Sequence, residues 1–245
     1  MKKQKIIGMI PARYASSRFL GKVIADIANK PMIQRVYEQA NKSTMLDQLI
    51  VAVDDDRVYK IVKGFGGKVV MTSTGHESGT DRIAEAIENI DADIVVNIQG
   101  DQPLFDARMI EEAVKPMLED PNIQMSTLKT KIGKEDYNDP AVVKVVVDEN
   151  DYALYFSRSL IPYSRDKIKM DVYEHVGLYV YRKDFLLKMS KLPRTYLEKI
   201  EMLEQLRVLE NGYKIKVIET KCESVSGISV DTPEDLIKVE NIIKK

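Results

Sequence analysis

The sequence predicts an α/β protein. A mostly parallel, doubly wound central sheet is flanked by helices, with a smaller mixed or antiparallel lobe at roughly 130–190. Three observations carry this. Short, almost unbroken apolar runs recur in the first hundred residues, as strands buried on both faces require. Segments with helical spacing alternate with them, which is the signature of strand–helix crossover units. After about Met125 the alternation stops, and strand-like runs follow one another with few helices between.

In chain order, Ile6–Ile10 (IIGMI), Leu49–Val53 (LIVAV), Lys68–Thr72 (KVVMT) and Ile94–Ile98 (IVVNI) read as buried parallel strands. Helices are predicted over Pro31–Lys42, Asp56–Gly64, Asp81–Ile90 and Asp106–Leu118. The first of these carries Met32, Ile33, Val36, Tyr37 and Ala40 at helical spacing. Val142–Val147, Ala153–Phe156 and Val176–Tyr181 read as the strands of the mixed extension. One long helix is predicted from Leu197 to Glu210, with Ile200, Leu203, Leu206 and Leu209 on one face and Gly212 just past its end. A last strand, Lys214–Ile218, precedes a helix starting near Thr232, where Thr232, Pro233 and Asp235 supply a cap, an N1 proline and a capping-box acid. No linker, repeat or low-complexity segment interrupts the chain, so one unit over 1–245 is expected.

The totals exclude several classes. Lys+Arg (37) and Asp+Glu (38) nearly cancel, so there is no global basic field for wrapping nucleic acid and any positive site is local. Cys222 is the only cysteine, which rules out an intrachain disulfide framework or a cysteine-based zinc site and fits a reducing compartment. Only five apolar residues separate MKKQK from Pro11, too few for a signal-peptide core or a membrane span. A cytoplasmic protein is expected.

The first strand runs into PARYASSRFLGK (Pro11 to Lys22), a small-residue loop with three cations. Ligands of open parallel sheets bind beyond the carboxyl ends of the strands, which is where this loop lies. Arg13, Arg18 and Lys22 converge there if they share an anion, and Ser16, Ser17 and Gly21 let backbone N–H groups approach it. A triphosphate suits the pattern; a solvated basic loop is the alternative. Neither GxxxxGK[ST] nor GxGxxG occurs, which disfavours a P-loop ATPase and a nicotinamide enzyme.

Phosphate chemistry commonly uses Mg²⁺ held by one or two carboxylates. Asp101, in NIQGDQP, lies just past the fourth strand at the same sheet edge; turn chemistry beside Gly100 and Pro103 also accounts for it. Asp231 precedes a helix that already has its cap. His175 and Tyr179, four apart in EHVGLY, share a face if the segment is a strand, either toward a ligand or toward solvent. SGTDR (Ser78 to Arg82) opens a helix whose free N–H groups and Arg82 suit an anion or a base edge, or merely form a cap. Glu201, Glu204 and Arg207 fit a plain charge ladder.

With these residues in view, the chain resembles the 3-deoxy-manno-octulosonate cytidylyltransferases. IPARYASSRFLGK, GGKVVMTSTGHESGTDRIAEA, VVNIQGDQPLF, YALYFSRSLIPYSRD, EHVGLYVYR, LEKIEMLEQLRVLENGYKIKV and VDTPEDL occur in that family's order and span nearly the whole chain. The resemblance implies a nucleotide-diphospho-sugar transferase-like fold, usually a homodimer. It also implies transfer of CMP from CTP to an eight-carbon acid sugar for lipopolysaccharide synthesis, with release of pyrophosphate. By resemblance, Arg13, Arg18 and Lys22 hold the triphosphate, and Asp101 and Asp231 bind Mg²⁺. Ala12, Ser78, Gly79, Arg82 and Gln99 lie where the family holds the nucleoside. Arg158, His175, Tyr179, Glu204 and Gln205 lie where it holds the sugar, with Arg158 on the carboxylate.

Three departures stand out. Leu20 and Val23 replace prolines that usually flank the Gly-Lys pair, removing two φ-fixing rings from the loop. Ser229 stands where glycine is common before VDTPEDL. The segment between SRD and EHVGLY is short, resembling a subgroup that includes activators of an 8-amino sugar.

Overall fold

The computed structural model describes residues 3–15, 19–166, 168–222 and 228–244. Strand β1 (Ile6–Ala12) alternates between two cores, and this sets the architecture. Ile6, Ile10 and Ala12 face one apolar cluster, while Ile7 and Met9 face the other. A strand with both faces covered needs no polar residues, which is why IIGMI reads as a continuous run.

The chain continues through a short hairpin, β2 (Asp26–Ile27) and β3 (Lys30–Pro31), into α1 (Met32–Ala40). Then come β4 (Gln48–Val53), α2 (Asp56–Gly64), β5 (Val69–Met71), α3 (Gly79–Ile87), β6 (Ile94–Asn97) and α4 (Arg108–Glu119). β5, β4, β1 and β6 are parallel neighbours. In β4, Leu49, Val51 and Val53 face the first core and Ile50 and Ala52 the second. These elements match the sequence expectation to within a few residues at each end. The two-residue strands of the hairpin are too short to show a periodicity.

β7 (Met125–Lys131), β8 (Lys144–Val147), β9 (Ala153–Ser157) and β10 (Tyr173–Arg182) follow. β10 runs antiparallel between β6 and β7, while β8 pairs with β10 and with β9. β7 was not predicted, for a physical reason. Ser126, Thr127 and Lys129 are buried polar residues in mid-sheet. Partners on other elements offset their cost: Ser126 Oγ donates to Ala113 O at 2.7 Å, Thr127 Oγ1 to Leu178 O at 2.8 Å, and Lys129 Nζ to Asp151 Oδ1 at 3.4 Å.

α5 (Lys183–Met189), α6 (Tyr196–Glu201), α7 (Leu206–Glu210), β11 (Lys216–Glu219) and α8 (Pro233–Ile243) complete the described elements. β11 pairs with β7, giving the order β11-β7-β10-β6-β1-β4-β5. The long helix expected over 197–210 is two helices, separated at Met202, whose φ is 54°. At about 3.6 residues per turn, positions nine apart lie on opposite faces. Ile200 and Leu209 therefore cannot share a core on one straight helix. With the break, Leu203 and Leu206 are buried while Ile200 is exposed. Buried Glu198 fastens the two halves by accepting two bonds from Arg207, Nε at 2.9 Å and Nη2 at 2.6 Å. Thr232 and Asp235 cap α8 reciprocally, as predicted.

Candidate active site

The carboxyl ends of β1 and β6 face the same edge of the sheet. Gly100 lets the backbones after these strands approach: a Cβ there would lie 2.9 Å from Pro11 O. The loop after β1 closes on itself, because Gly21 N–H donates to Tyr14 O at 2.9 Å. Gly21 takes a φ of +71°, and a Cβ on it would come within 3.1 Å of the Tyr14 ring, so glycine is required twice over.

Lys22 follows in a 3-10 turn and reaches inward. Its ammonium donates to Asp101 Oδ2 at 2.7 Å, to Asp231 Oδ1 at 2.9 Å and to Val230 O at 3.2 Å. Val230 N–H donates to Asp101 O at 2.8 Å, which brings the segment before α8 against the loop after β6. Two carboxylates that are 130 residues apart in sequence thus share one cation. Burial works against the charge on Lys22, but Asp101 and Asp231 outweigh it and leave the ammonium above its ordinary pKa.

Three cavities meet at Gly79, and Lys22 lines one of them. One of about 470 Å³ is lined by Arg13, Lys22, Gly79, Gln99, Asp101 and Asp231. A second, about 380 Å³, lies along β10 and is lined by Gln99, Glu174, His175, Tyr179, Glu204 and Gln205. The third, about 650 Å³, lies at the start of α3 against Arg13, Ser78, Gly79, Arg194, Glu204 and Arg207. Gly79 borders all three and Gln99 the first two. Gln99 Nε2 is fixed by donating to Gly177 O at 2.9 Å.

Most sequence-predicted residues converge here, and several do not. Arg13 lines two cavities and donates to Glu77 O at 3.1 Å. Ser78 caps α3 by accepting from Asp81 N. His175 and Tyr179 share a face with ring centroids 5.2 Å apart. The register shift in β10 between Val176 and Tyr179 leaves that parity unchanged. Arg18 lies outside the described residues, as do Ser16 and Ser17.

Three of the expected residues turn their side chains elsewhere. Arg82 was placed at the nucleoside, yet its side chain is fully buried and borders none of the three cavities. Its guanidinium bonds Asp54, Thr72 and Ser73 instead. Ala12, also placed there, turns its methyl into the first core. Arg158 was placed on a sugar carboxylate, but its guanidinium donates to three backbone carbonyls, of Pro140, Glu201 and Met202. Apolar packing and carbonyl bonding leave no mark in a sequence motif.

Sequence reasoning missed Glu174, Thr80 and Val230. Thr80 Oγ1 donates to Glu204 Oε2 at 2.5 Å, while Glu204 Oε1 is buried without a hydrogen-bond partner, 3.8 Å from Arg207 Nη2. Burial accordingly pushes the Glu204 carboxyl above its ordinary pKa. Thr80 sits inside SGTDR, so its place at a helix start was the available signal.

His175 is enclosed by Phe156, Tyr179 and Thr127, with Nε2 2.9 Å from Thr127 Oγ1. Burial lowers its pKa to about 3, so the ring is neutral in the folded protein. The unfolded chain takes up this proton below about pH 6.5 and the folded one does not. His175 therefore contributes stability that is complete above about pH 6.5 and is lost as pH falls toward 3. Between pH 6.5 and 5 stability is expected to fall by about 1.4 kcal/mol per pH unit, read from urea midpoints. The chain has only one other histidine, His76. His175→Gln should flatten the slope and His76→Gln should not. A slope unchanged in His175→Gln removes this residue as its source.

Comparison with known proteins places this geometry. Residues 7–215 match the family described as Cytidylyltransferase. The 3-deoxy-manno-octulosonate cytidylyltransferase of Geotalea uraniireducens is 54% identical, over 98% of this chain and 100% of that protein. Its counterpart in Geobacter sulfurreducens is 52% identical over 98% and 99%. A solved CMP:2-keto-3-deoxy-manno-octonic acid synthetase complexed with CTP superimposes with a TM-score of 0.94, at 44% identity and 98% coverage of both chains. With half its residues shared over nearly the full length, and a mixed sheet that superimposes on a relative's, the chain belongs to the 3-deoxy-manno-octulosonate cytidylyltransferase family.

Proposed function

We propose that this protein transfers CMP from CTP to the anomeric hydroxyl of a 3-deoxy-octulosonate sugar and releases pyrophosphate, activating the sugar for lipopolysaccharide synthesis. One observation carries the reading. Lys22 stands between Asp101 and Asp231 at the sheet rim, where a cavity lined by Arg13, Lys22 and these two carboxylates shares Gln99 and Gly79 with a second, polar cavity. The printed names of the relatives, and the CTP bound in one of them, support the choice of substrates.

In this reading the sugar oxygen forms a bond to the α-phosphorus as the bond from that phosphorus to the β-phosphate bridge breaks. Pyrophosphate leaves with the electron pair, and the sugar hydroxyl proton passes to solvent. Arg13 and Lys22 hold the phosphates and offset the charge that develops on their oxygens. Gln99 and Gly79 form the wall between nucleotide and sugar. Neutral His175, Tyr179, Glu204 and Gln205 hydrogen-bond the sugar, and the Glu204 carboxyl, pushed up by burial, gains a hydrogen-bond donor to the oxygen that lacks one. Asp101 and Asp231 would hold Mg²⁺. They fit it, because a single cationic atom, Lys22 Nζ, already lies within 3 Å of an oxygen from each. Bound there, the metal supplies charge neutralisation at the phosphates and lowers the pKa of a coordinated hydroxyl.

A second reading has its own observation. Glu174 lines the sugar-side cavity, and its carboxyl is pushed up by burial and by Asp136. It has no hydrogen bond among the described residues, so an acceptor with an ammonium group at C8 would meet a carboxylate there. We also propose a homodimer, supported by exposed Leu154, Tyr163, Ile168, Tyr196, Ile200 and Met202, all between residues 154 and 202. No helix among the described residues is long and apolar enough to cross a membrane.

The test is pyrophosphate release with CTP and Mg²⁺, offering the hydroxyl sugar, the 8-amino sugar and sialic acid in parallel. Release is expected with one of the first two. Light scattering on the same sample is expected to give the mass of two chains. Folded protein that releases nothing with either octulosonate refutes the proposed reaction, and a single-chain mass refutes the dimer.

A further inference from the structure

Asp54, at the carboxyl end of β4, belongs to no motif singled out in the sequence. Its side chain is 10% exposed, and both of its oxygens are used. Oδ1 accepts from Tyr14 N–H at 3.2 Å, and Oδ2 accepts from Arg82 Nη2 at 2.8 Å. Tyr14 is where the loop begins, and its carbonyl is the one that Gly21 N–H closes on. Arg82 lies in the first turn of α3, and its other terminal nitrogen is spent on Thr72 Oγ1 at 2.5 Å and Ser73 O at 3.2 Å. Among the described residues, Asp54 is thus the one carboxylate that joins the start of the loop to the body of α3.

The outer side of the same tyrosine is held independently. The Arg57 guanidinium lies 3.4 Å from the Tyr14 ring centroid. Asp55 fixes that guanidinium with Nε at 2.8 Å and Nη2 at 2.7 Å. The inner face of the ring meets Gly21.

We propose that Asp54 is a positioning residue for nucleotide binding: by tying Tyr14 N–H to buried Arg82, it holds Arg13 and Lys22 at a fixed distance from the Ser78–Gly79 wall. This rests on the reading of the rim cavity as the triphosphate site. It also gives Arg82 its role: the residue acts through Asp54 on the loop and touches no ligand. Fixing the loop in advance favours nucleotide binding by cutting the ordering that binding must otherwise impose.

Asp54→Asn tests it. The amide oxygen still accepts from Tyr14, but the charge facing Arg82 is gone. The KM for CTP is expected to rise about tenfold, with the KM for the sugar within about twofold, as loss of one charge-assisted bond implies. Hydrogen exchange at the Tyr14 and Gly21 amides should quicken, while that of β1 stays slow. Equal changes in both KM values, or an unchanged CTP KM in folded protein, overturn the proposal. Should Asp54→Asn fail to fold, Arg57→Ala removes only the exposed guanidinium over the ring. It is expected to raise the CTP KM about threefold, consistent with the strength of an exposed cation–π contact, and to speed Tyr14 exchange; the absence of both changes overturns the clamp. Wild-type protein that binds no CTP refutes the triphosphate site, while amide exchange still reports on Asp54.

Discussion

Lys22→Met is expected to lower the rate of pyrophosphate release by about a hundredfold to a thousandfold, the usual loss when one preorganised charge contact is removed from a transition state. The ammonium is the only side-chain cation within bonding distance of both Asp101 and Asp231 among the described residues. It is 13% exposed, so solvent is a poor substitute for it. Its pKa is raised, so the charge is present below about pH 10.5 and the contribution is lost only as pH rises through the higher folded value. In the variant two carboxylates face each other without that cation. The melting temperature should therefore drop in metal-free buffer, and Mg²⁺ should raise it more than in the wild type. A rate within threefold of wild type would show that Lys22 does not touch the reacting phosphates. An unchanged response to Mg²⁺ would show that the acidic pair is not where the metal binds.

Asp101→Asn should cost more, about a thousandfold or beyond, because it weakens both the cation cradle and the proposed metal site, whose charge stabilisation would be worth several kcal/mol. The fold should survive. Asp231 keeps its bond to Lys22, the amide oxygen still accepts from the ammonium, and the backbone bond from Val230 to Asp101 O is untouched. Circular dichroism and the urea midpoint should stay near wild type while turnover vanishes. Near-normal turnover removes Asp101 from the metal site. A large fall in stability instead makes it a structural counter-ion to Lys22, which is the role its geometry shows without ligands.

Much of the fold was legible because its parallel strands are covered twice. IIGMI, LIVAV and IVVNI have no polar alternative, and the helices between them carry their own signals, as the Thr232–Asp235 cap does. Legibility failed where stability comes from partners far away in sequence. β7 buries Ser126 and Thr127 in mid-sheet because Ala113 and Leu178 carbonyls accept from them. The helix breaks at Met202, where φ is 54°, and beyond it Leu203 and Leu206 are buried and Glu204 and Gln205 line the cavity along β10.

The site divides the same way. Position at the sheet edge and the chemistry of Arg13, Lys22, Asp101 and Asp231 follow from residue types and strand ends. The motif SGTDR could not show that Ser78 and Gly79 face the cavity while Arg82 turns away from it to meet Asp54. Nor could it show that Arg158 spends its guanidinium on carbonyls.

The sequence by itself determined the parallel half of the sheet, the edge where the candidate site lies and the charges gathered there, because these follow from local pattern and side-chain chemistry. Only the tertiary structure decided which charges touch. Lys22 meets both Asp101 and Asp231, and Asp54 meets both Tyr14 and Arg82. Ion pairs between distant segments are set by how the strands and helices pack, and that information is spread over the whole core.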